Sequence, residues 1–126
     1  MLPRPAFPRR YIVNIVENSP VTGFSGFGLA EPVCQALVDA DYHTPTPIQT
    51  LTIPHLLEGR DVVGQAQTGT GKTAAFILPI LQRLTKGPLR RVRALIVAPT
   101  RELSEQICQV SVALGRKTRV RSVTVY

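Results

Sequence analysis

Residues 61–73, "DVVGQAQTGTGKT", decide the fold of this 126-residue chain. Asp61–Ala66 reads as a short apolar strand, residues 67–71 as a glycine-rich turn, and Lys72 as the first residue of a helix reaching about Leu84. Gly-Lys-Thr is the ending of a phosphate-binding loop. The general pattern G-x-x-x-x-G-K-[ST] asks for glycine where Ala66 stands, and alanine fits there as long as the strand end keeps an ordinary negative φ. In such a loop the backbone N–H groups of Gln67, Thr68, Gly69, Thr70 and Gly71 turn inward toward an anion, and the helix N-terminus adds positive potential. Lys72 then reaches the β/γ-phosphates, and the Thr73 hydroxyl is the Mg²⁺ ligand. Within the helix Phe76, Ile80 and Leu84 share one face, and Pro79 is expected to kink it.

Outward from the loop the pattern alternates. Before it, Leu29, Val33, Ala36, Leu37 and Ala40 recur at helical spacing. "TPTPIQ" then starts a second helix, with Thr46 as cap and Pro47 in the first turn, running toward Pro54 or just past it. After it, "RALIVAP" is a continuous apolar run of the kind found in parallel strands buried on both faces. A helix from Arg101 to about Leu114 follows, with Leu103, Ile107, Val110 and Leu114 turned inward, and then a last strand from about Arg119 to Tyr126. The order helix–helix–β–α–β–α–β is that of an α/β domain with a parallel sheet.

Composition narrows the class. The chain is 44% hydrophobic and 18% charged, enough to bury one modest core. There is no apolar run long enough to span a membrane. Cys34 and Cys108 have no ligand partners at metal spacing and read as reduced, buried thiols of a cytosolic protein rather than as a disulfide. Residues 1–85 balance six basic against six acidic side chains, whereas residues 86–126 carry nine basic against Glu102 and Glu105, so the whole +7 lies in the last third. That asymmetry suits a polyanionic partner. Residues 1–21 are proline-rich and basic at the start. They are expected to be an irregular extension, with an organelle-targeting segment as the alternative.

Three stretches together resemble the DEAD-box RNA helicases: "AQTGTGKT" at 66–73, "PTPIQ" at 45–49 with Phe24 seventeen residues ahead of Asp41-Tyr42, and "APTRELSEQI" at 98–107. The resemblance covers about residues 22–126. It implies an incomplete RecA-like P-loop domain over 53–126, preceded by an adenine-recognising segment over 22–50. It implies ATP and Mg²⁺ as cofactors and RNA, held through its phosphate backbone without reading sequence, as partner. Gln49 would contact adenine, since its amide complements the N7 and N6-amino edge. Phe24 and Tyr42 would supply aromatic faces, Tyr42 being equally readable as a core residue at a helix end. Pro99, Thr100, Arg101 and Glu102 would form the nucleic-acid corner, with proline ending the strand, Thr100 capping the helix and Arg101 gripping phosphate. Pairing of Arg101 with a neighbouring acid is the alternative. "GRKTRVRS" at 115–122 and "KGPLRRVR" at 86–93 read as solvated surface, and His43 and His55 as solvent-facing.

The chain departs from the family at Asp41, where glycine is usual. It also carries no Asp-Glu-Ala-Asp or Ser-Ala-Thr segment and no second RecA-like domain. It is therefore expected to be the N-terminal part of such a helicase, inactive and marginally folded alone because strands from later in the sequence lie between those of this chain. The competing readings are another P-loop nucleic-acid translocase and a non-catalytic ATP- or RNA-binding piece.

Overall fold

The computed structural model describes Tyr11–Ile12 and residues 23–126. A 3-10 turn at Phe24–Phe27 leads into α1 (Glu31–Asp39) and α2 (Pro47–Leu57). The expected helical periodicity is realised at Val33, Ala36 and Leu37, which are buried in α1, whereas Leu29 is buried ahead of the helix and Ala40 caps its end. Pro32 lies in the first turn of α1, where its missing N–H costs nothing. The N–H of Ala30 donates to Gln82 Oε1 at 2.7 Å, so a side chain from a later helix satisfies the start of this one.

The end of α1 is a Schellman turn. Tyr42 N–H donates to the Leu37 carbonyl and Asp41 N–H to that of Val38, with Asp41 in the left-handed region at φ 62°. This position favours glycine because a Cβ there crowds the following carbonyl. The Asp41 carboxylate meets His43 Nε2 at 2.6 Å, but both side chains are exposed, which leaves that contact little net value. Asp41→Gly is therefore expected to stabilise the protein by about 1 kcal/mol, the lower end of the left-handed penalty. The check is the thermal midpoint of the two forms, and a lower midpoint for the glycine variant would show that the His43 contact outweighs the strain.

The P-loop strand is β2, shortened to Val62–Val63. Its partner is one that the sequence does not announce: β1 (Tyr11–Ile12) runs parallel to it, pairing Tyr11 with Val62 and Ile12 with Val63. The extension expected to be irregular thus contributes a strand. Tyr-Ile-Val-Asn-Ile-Val at 11–16 has the β-branched content for it, which the surrounding prolines obscure. The remaining expectations for residues 1–21 lie outside the described residues.

Helix α3 (Lys72–Leu84) and helix α4 (Arg101–Leu114) have the predicted bounds. The buried face of α3 is rotated from the expected one, whereas that of α4 matches at Ile107, Val110 and Leu114 and departs at Leu103. In α3 the core side is Ala74, Ala75, Ile77, Leu78 and Leu81, and Phe76, Ile80 and Leu84 are only partly buried. The helix continues through Pro79, which is itself buried. In α4 Ile107, Ser111 and Leu114 are buried, whereas Leu103 is 37% exposed. The reason is geometric: α3 is packed by α2 on one side and α4 on another, so its buried arc is wider and centred differently from a single stripe.

The two later strands are not formed. Neither 94–98 nor 119–126 makes a ladder hydrogen bond with another described residue, and the sheet of the described residues has two strands. Leu95 and Val97 are each 84% exposed, although the apolar run they belong to suits a strand covered on both faces. A cleft of ≈ 890 Å³ is lined by Ile77, Leu81 and Ile107 of the helices and by Leu95, Val120 and Val123 of these segments, which touch the helical core through Ala98 and Val120. A strand needs a bonded neighbour about 4.8 Å away. These segments border open space where such a neighbour would lie. The observed order is β1–α1–α2–β2–α3–α4, an incomplete α/β domain.

Candidate nucleotide and nucleic-acid site

The phosphate loop has the backbone that its glycines call for. Gly69 and Gly71 take φ of 81° and 83°, with Gly71 capping α3. Ala66 is not among the residues with positive φ, so alanine at the first loop position carries no strain. Lys72 folds back over the loop, its Nζ donating to the Ala66 carbonyl at 2.5 Å. Thr70 Oγ1 donates to the Gln67 carbonyl, tightening the turn. The lysine ammonium, the loop amides and the free end of α3 thus converge at one place, the arrangement that suits an anion. Thr73 follows Lys72 on the first turn of α3.

Gln49 is joined to this loop. It is 1% exposed; its Oε1 accepts from Thr46 N–H at 2.9 Å and its Nε2 donates to the Gly71 carbonyl at 3.1 Å. The first bond is half of a capping box at the start of α2. The Thr46 hydroxyl, buried beside it, has no partner at hydrogen-bonding geometry. The Gly71 carbonyl also accepts from Ala75 N–H, so one oxygen ties α2 to the first turn of α3. The sequence marks Gln49 for a base, and the structure engages its amide with protein on both sides. One Nε2 hydrogen remains uncommitted.

Phe24 and Tyr42 come together away from Gln49. Their rings meet edge to face, with centroids 6.2 Å apart and planes at 69°, and Phe27 packs on Phe24 at 6.0 Å. Phe24 is buried in the core cluster and Tyr42 packs against it. Among the described residues no hydrogen bond or ring contact links this aromatic pair to Gln49 or to the loop.

At the other corner Thr100 caps α4, its Oγ1 accepting from Leu103 N–H at 3.2 Å as the sequence predicts. Pro99, Thr100, Arg101 and Glu102 are all exposed. Arg101 forms no ion pair among the described residues. Its guanidinium instead lies 4.7 Å from the centre of the Tyr126 ring, whose hydroxyl donates to Glu105 Oε1 at 2.5 Å. The sequence reading gives Tyr126 and Glu105 no part in this corner because nothing in their spacing marks them; only the fold brings residue 126 against the first turns of α4.

The family profile described as DEAD/DEAH box helicase matches residues 46–126, the span holding Gln49, the loop and the Arg101 corner. The chain belongs to the DEAD/DEAH box helicase family. Among curated relatives it is 48% identical over 109 residues to the ATP-dependent rRNA helicase RRP3 of Pyricularia oryzae, covering 86% of this chain and 20% of the relative. It is likewise 48% identical over 106 residues to the ATP-dependent RNA helicase DeaD of Escherichia coli, covering 83% of this chain and 17% of that protein. The chain therefore spans about a fifth of the length of the curated helicases it matches. A solved structure, S. cerevisiae Dbp5 bound to RNA and ADP BeF3, superposes with a TM-score of 0.72 at 33% identity, covering 79% of this chain and 26% of Dbp5. The superposition places this helicase chain in an α/β P-loop architecture despite the unformed strands.

Proposed function

We propose that the protein carrying this chain is an ATP-dependent RNA helicase, in which ATP binding at the 66–73 loop drives closure on an RNA strand and hydrolysis resets it. The observation that carries this reading is the convergence of Lys72 Nζ, the Gly71 cap and the buried Gln49 amide at the N-terminus of α3. A nucleotide-binding loop alone does not separate ATP from GTP, but a glutamine amide wired to it does. In this reading residues 53–126 are the beginning of a RecA-like ATP-binding domain, and residues 22–50 sense the base. The loop amides of 67–71 and Lys72 hold the phosphates, and Thr73 supplies a hydroxyl to Mg²⁺. The positive φ of Gly71 and the absence of room for a side chain there fit a close backbone approach to phosphate. Pro99, Thr100, Arg101 and Glu102 hold the RNA backbone. Support for RNA comes from the printed names of RRP3 and DeaD and from Dbp5 solved with RNA. A cytoplasmic location is proposed on the two free thiols of Cys34 and Cys108, and no helix of the described residues is long and apolar enough to cross a membrane.

The test is ATP turnover by the full-length protein with single-stranded RNA, single-stranded DNA or neither. RNA is expected to stimulate turnover and DNA to leave it near the basal rate. Equal stimulation by both would favour a general nucleic-acid translocase and overturn the RNA assignment.

Gln49→Ala separates two roles of one side chain. Removing the amide leaves the half-buried Thr46 N–H without its partner, which is expected to cost about 1 kcal/mol of stability. Loss of the base contact is expected to weaken ATP binding by a further ~1–3 kcal/mol and to narrow the preference over GTP. Denaturant unfolding and nucleotide titration measure the two effects independently. Lowered stability with unchanged ATP/GTP selectivity would make Gln49 a strut for the loop and remove it from base recognition.

A further inference from the structure

Arg101 and Glu105 stand four residues apart on α4, the spacing at which opposite charges on a helix ordinarily pair. They do not pair here. Glu105 Oε1 accepts from the hydroxyls of Tyr126 at 2.5 Å and Thr124 at 3.3 Å, and Arg101 lies over the Tyr126 ring. One tyrosine therefore occupies the acid with its hydroxyl and the base with its face. A guanidinium held over a ring is attracted through its charge, so this contact spends none of the five N–H donors of Arg101 on an acid. An ion pair with Glu105 would consume the donors that a phosphate needs.

We propose that Tyr126 is a positioning residue for nucleic-acid binding: its ring aims the Arg101 guanidinium, and its hydroxyl keeps Glu105 from neutralising it. This rests on the reading of Arg101 as an RNA-phosphate contact. Two further observations fit. The hydrogen bond to Glu105, together with that residue's charge, holds the Tyr126 phenol above its ordinary pKa, so the hydroxyl remains a donor across the working pH range. Arg101 is also exposed, as a residue reaching for a backbone must be.

The experiment measures binding of a fluorescent single-stranded RNA to the full-length protein with a non-hydrolysable ATP analogue, over a series of salt concentrations. Arg101→Ala is expected to weaken binding about tenfold, in line with a charge-assisted hydrogen bond, and to lower the salt slope by about 0.7, one single-strand phosphate contact. Tyr126→Phe keeps the ring but frees Glu105, and binding is expected to fall up to about fivefold, the scale of an exposed ion pair. Adding Glu105→Gln to Tyr126→Phe removes the competitor and is expected to restore wild-type affinity, a rescue that a merely structural tyrosine would not give. If Arg101→Ala leaves affinity and slope unchanged, the RNA contact itself is wrong and this inference falls with it. If Arg101→Ala weakens binding while Tyr126→Phe does not, or if Glu105→Gln fails to rescue, only the role of Tyr126 is overturned.

Discussion

Lys72→Ala is expected to reduce ATP hydrolysis by the full-length protein by at least about 10²–10³-fold, the loss seen when one preorganised charge-stabilising donor is removed. The lysine ammonium already sits at the mouth of the loop, held by the Ala66 carbonyl. A phosphate oxygen offers it a full negative charge in place of a neutral carbonyl, so transfer to the nucleotide is favourable and strengthens as charge develops in phosphoryl transfer. Folding is expected to change little, because the side chain is exposed. Thr73→Ala is expected to fail differently, as a raised Mg²⁺ requirement that high Mg²⁺ partly relieves. Parallel Mg²⁺ titrations of the two variants make the comparison. Indistinguishable curves would dissolve the division between a charge carried by Lys72 and a metal ligand carried by Thr73.

The second large effect is expected at Gly71. Its φ of 83° costs any L residue about 1–2 kcal/mol. A Cβ built there also runs into Gln49 Nε2 and stands 3.1 Å from Thr46 Oγ1. Gln49 is buried, so it cannot swing into solvent, and its bond to the Gly71 carbonyl has to break. An orphaned buried group adds about 1–3 kcal/mol. Gly71→Ala is therefore expected to lower stability by roughly 2–5 kcal/mol and to weaken nucleotide binding by about 100-fold, some 2.7 kcal/mol. Gly69 is the internal control: its φ of 81° is nearly the same, yet a Cβ there meets nothing within 4 Å. Gly69→Ala is expected to show the backbone cost alone. Equal losses of stability at the two positions would mean that the Gln49 contact contributes nothing.

The helices were legible in the sequence because their signals are local. Thr46-Pro47 and Pro99-Thr100 mark starts, the glycine-rich turn before Lys72 marks another, and the apolar spacing gives their extent. Strands are another matter. An apolar run such as Ala94–Ala98 states a capacity for pairing, but pairing requires a neighbour, and the sequence of the run carries no information about whether one is adjacent. For the same reason the sequence around Tyr11–Ile12 reads as irregular: its partnership with Val62–Val63 is a fact about distant residues. At the site, the loop residues and the Thr100 cap were readable from spacing. The bond from Gln49 to Gly71 and the seat of Arg101 on Tyr126 join residues 22 and 25 positions apart, and no periodicity reports them.

The doubly bonded carbonyl of Gly71 has a dynamic consequence. Its two donors, Ala75 N–H and Gln49 Nε2, belong to different helices, and Gln49 in turn holds Thr46 N–H. Unwinding the first turn of α3 strips a partner from Gln49, and fraying the start of α2 strips one from Gly71. The amides of Ala75 and Thr46 should therefore exchange with deuterium through one shared opening rather than two private ones. Nucleotide that quiets the loop would slow both by the same factor, making the base-sensing segment and the phosphate helix a single cooperative unit.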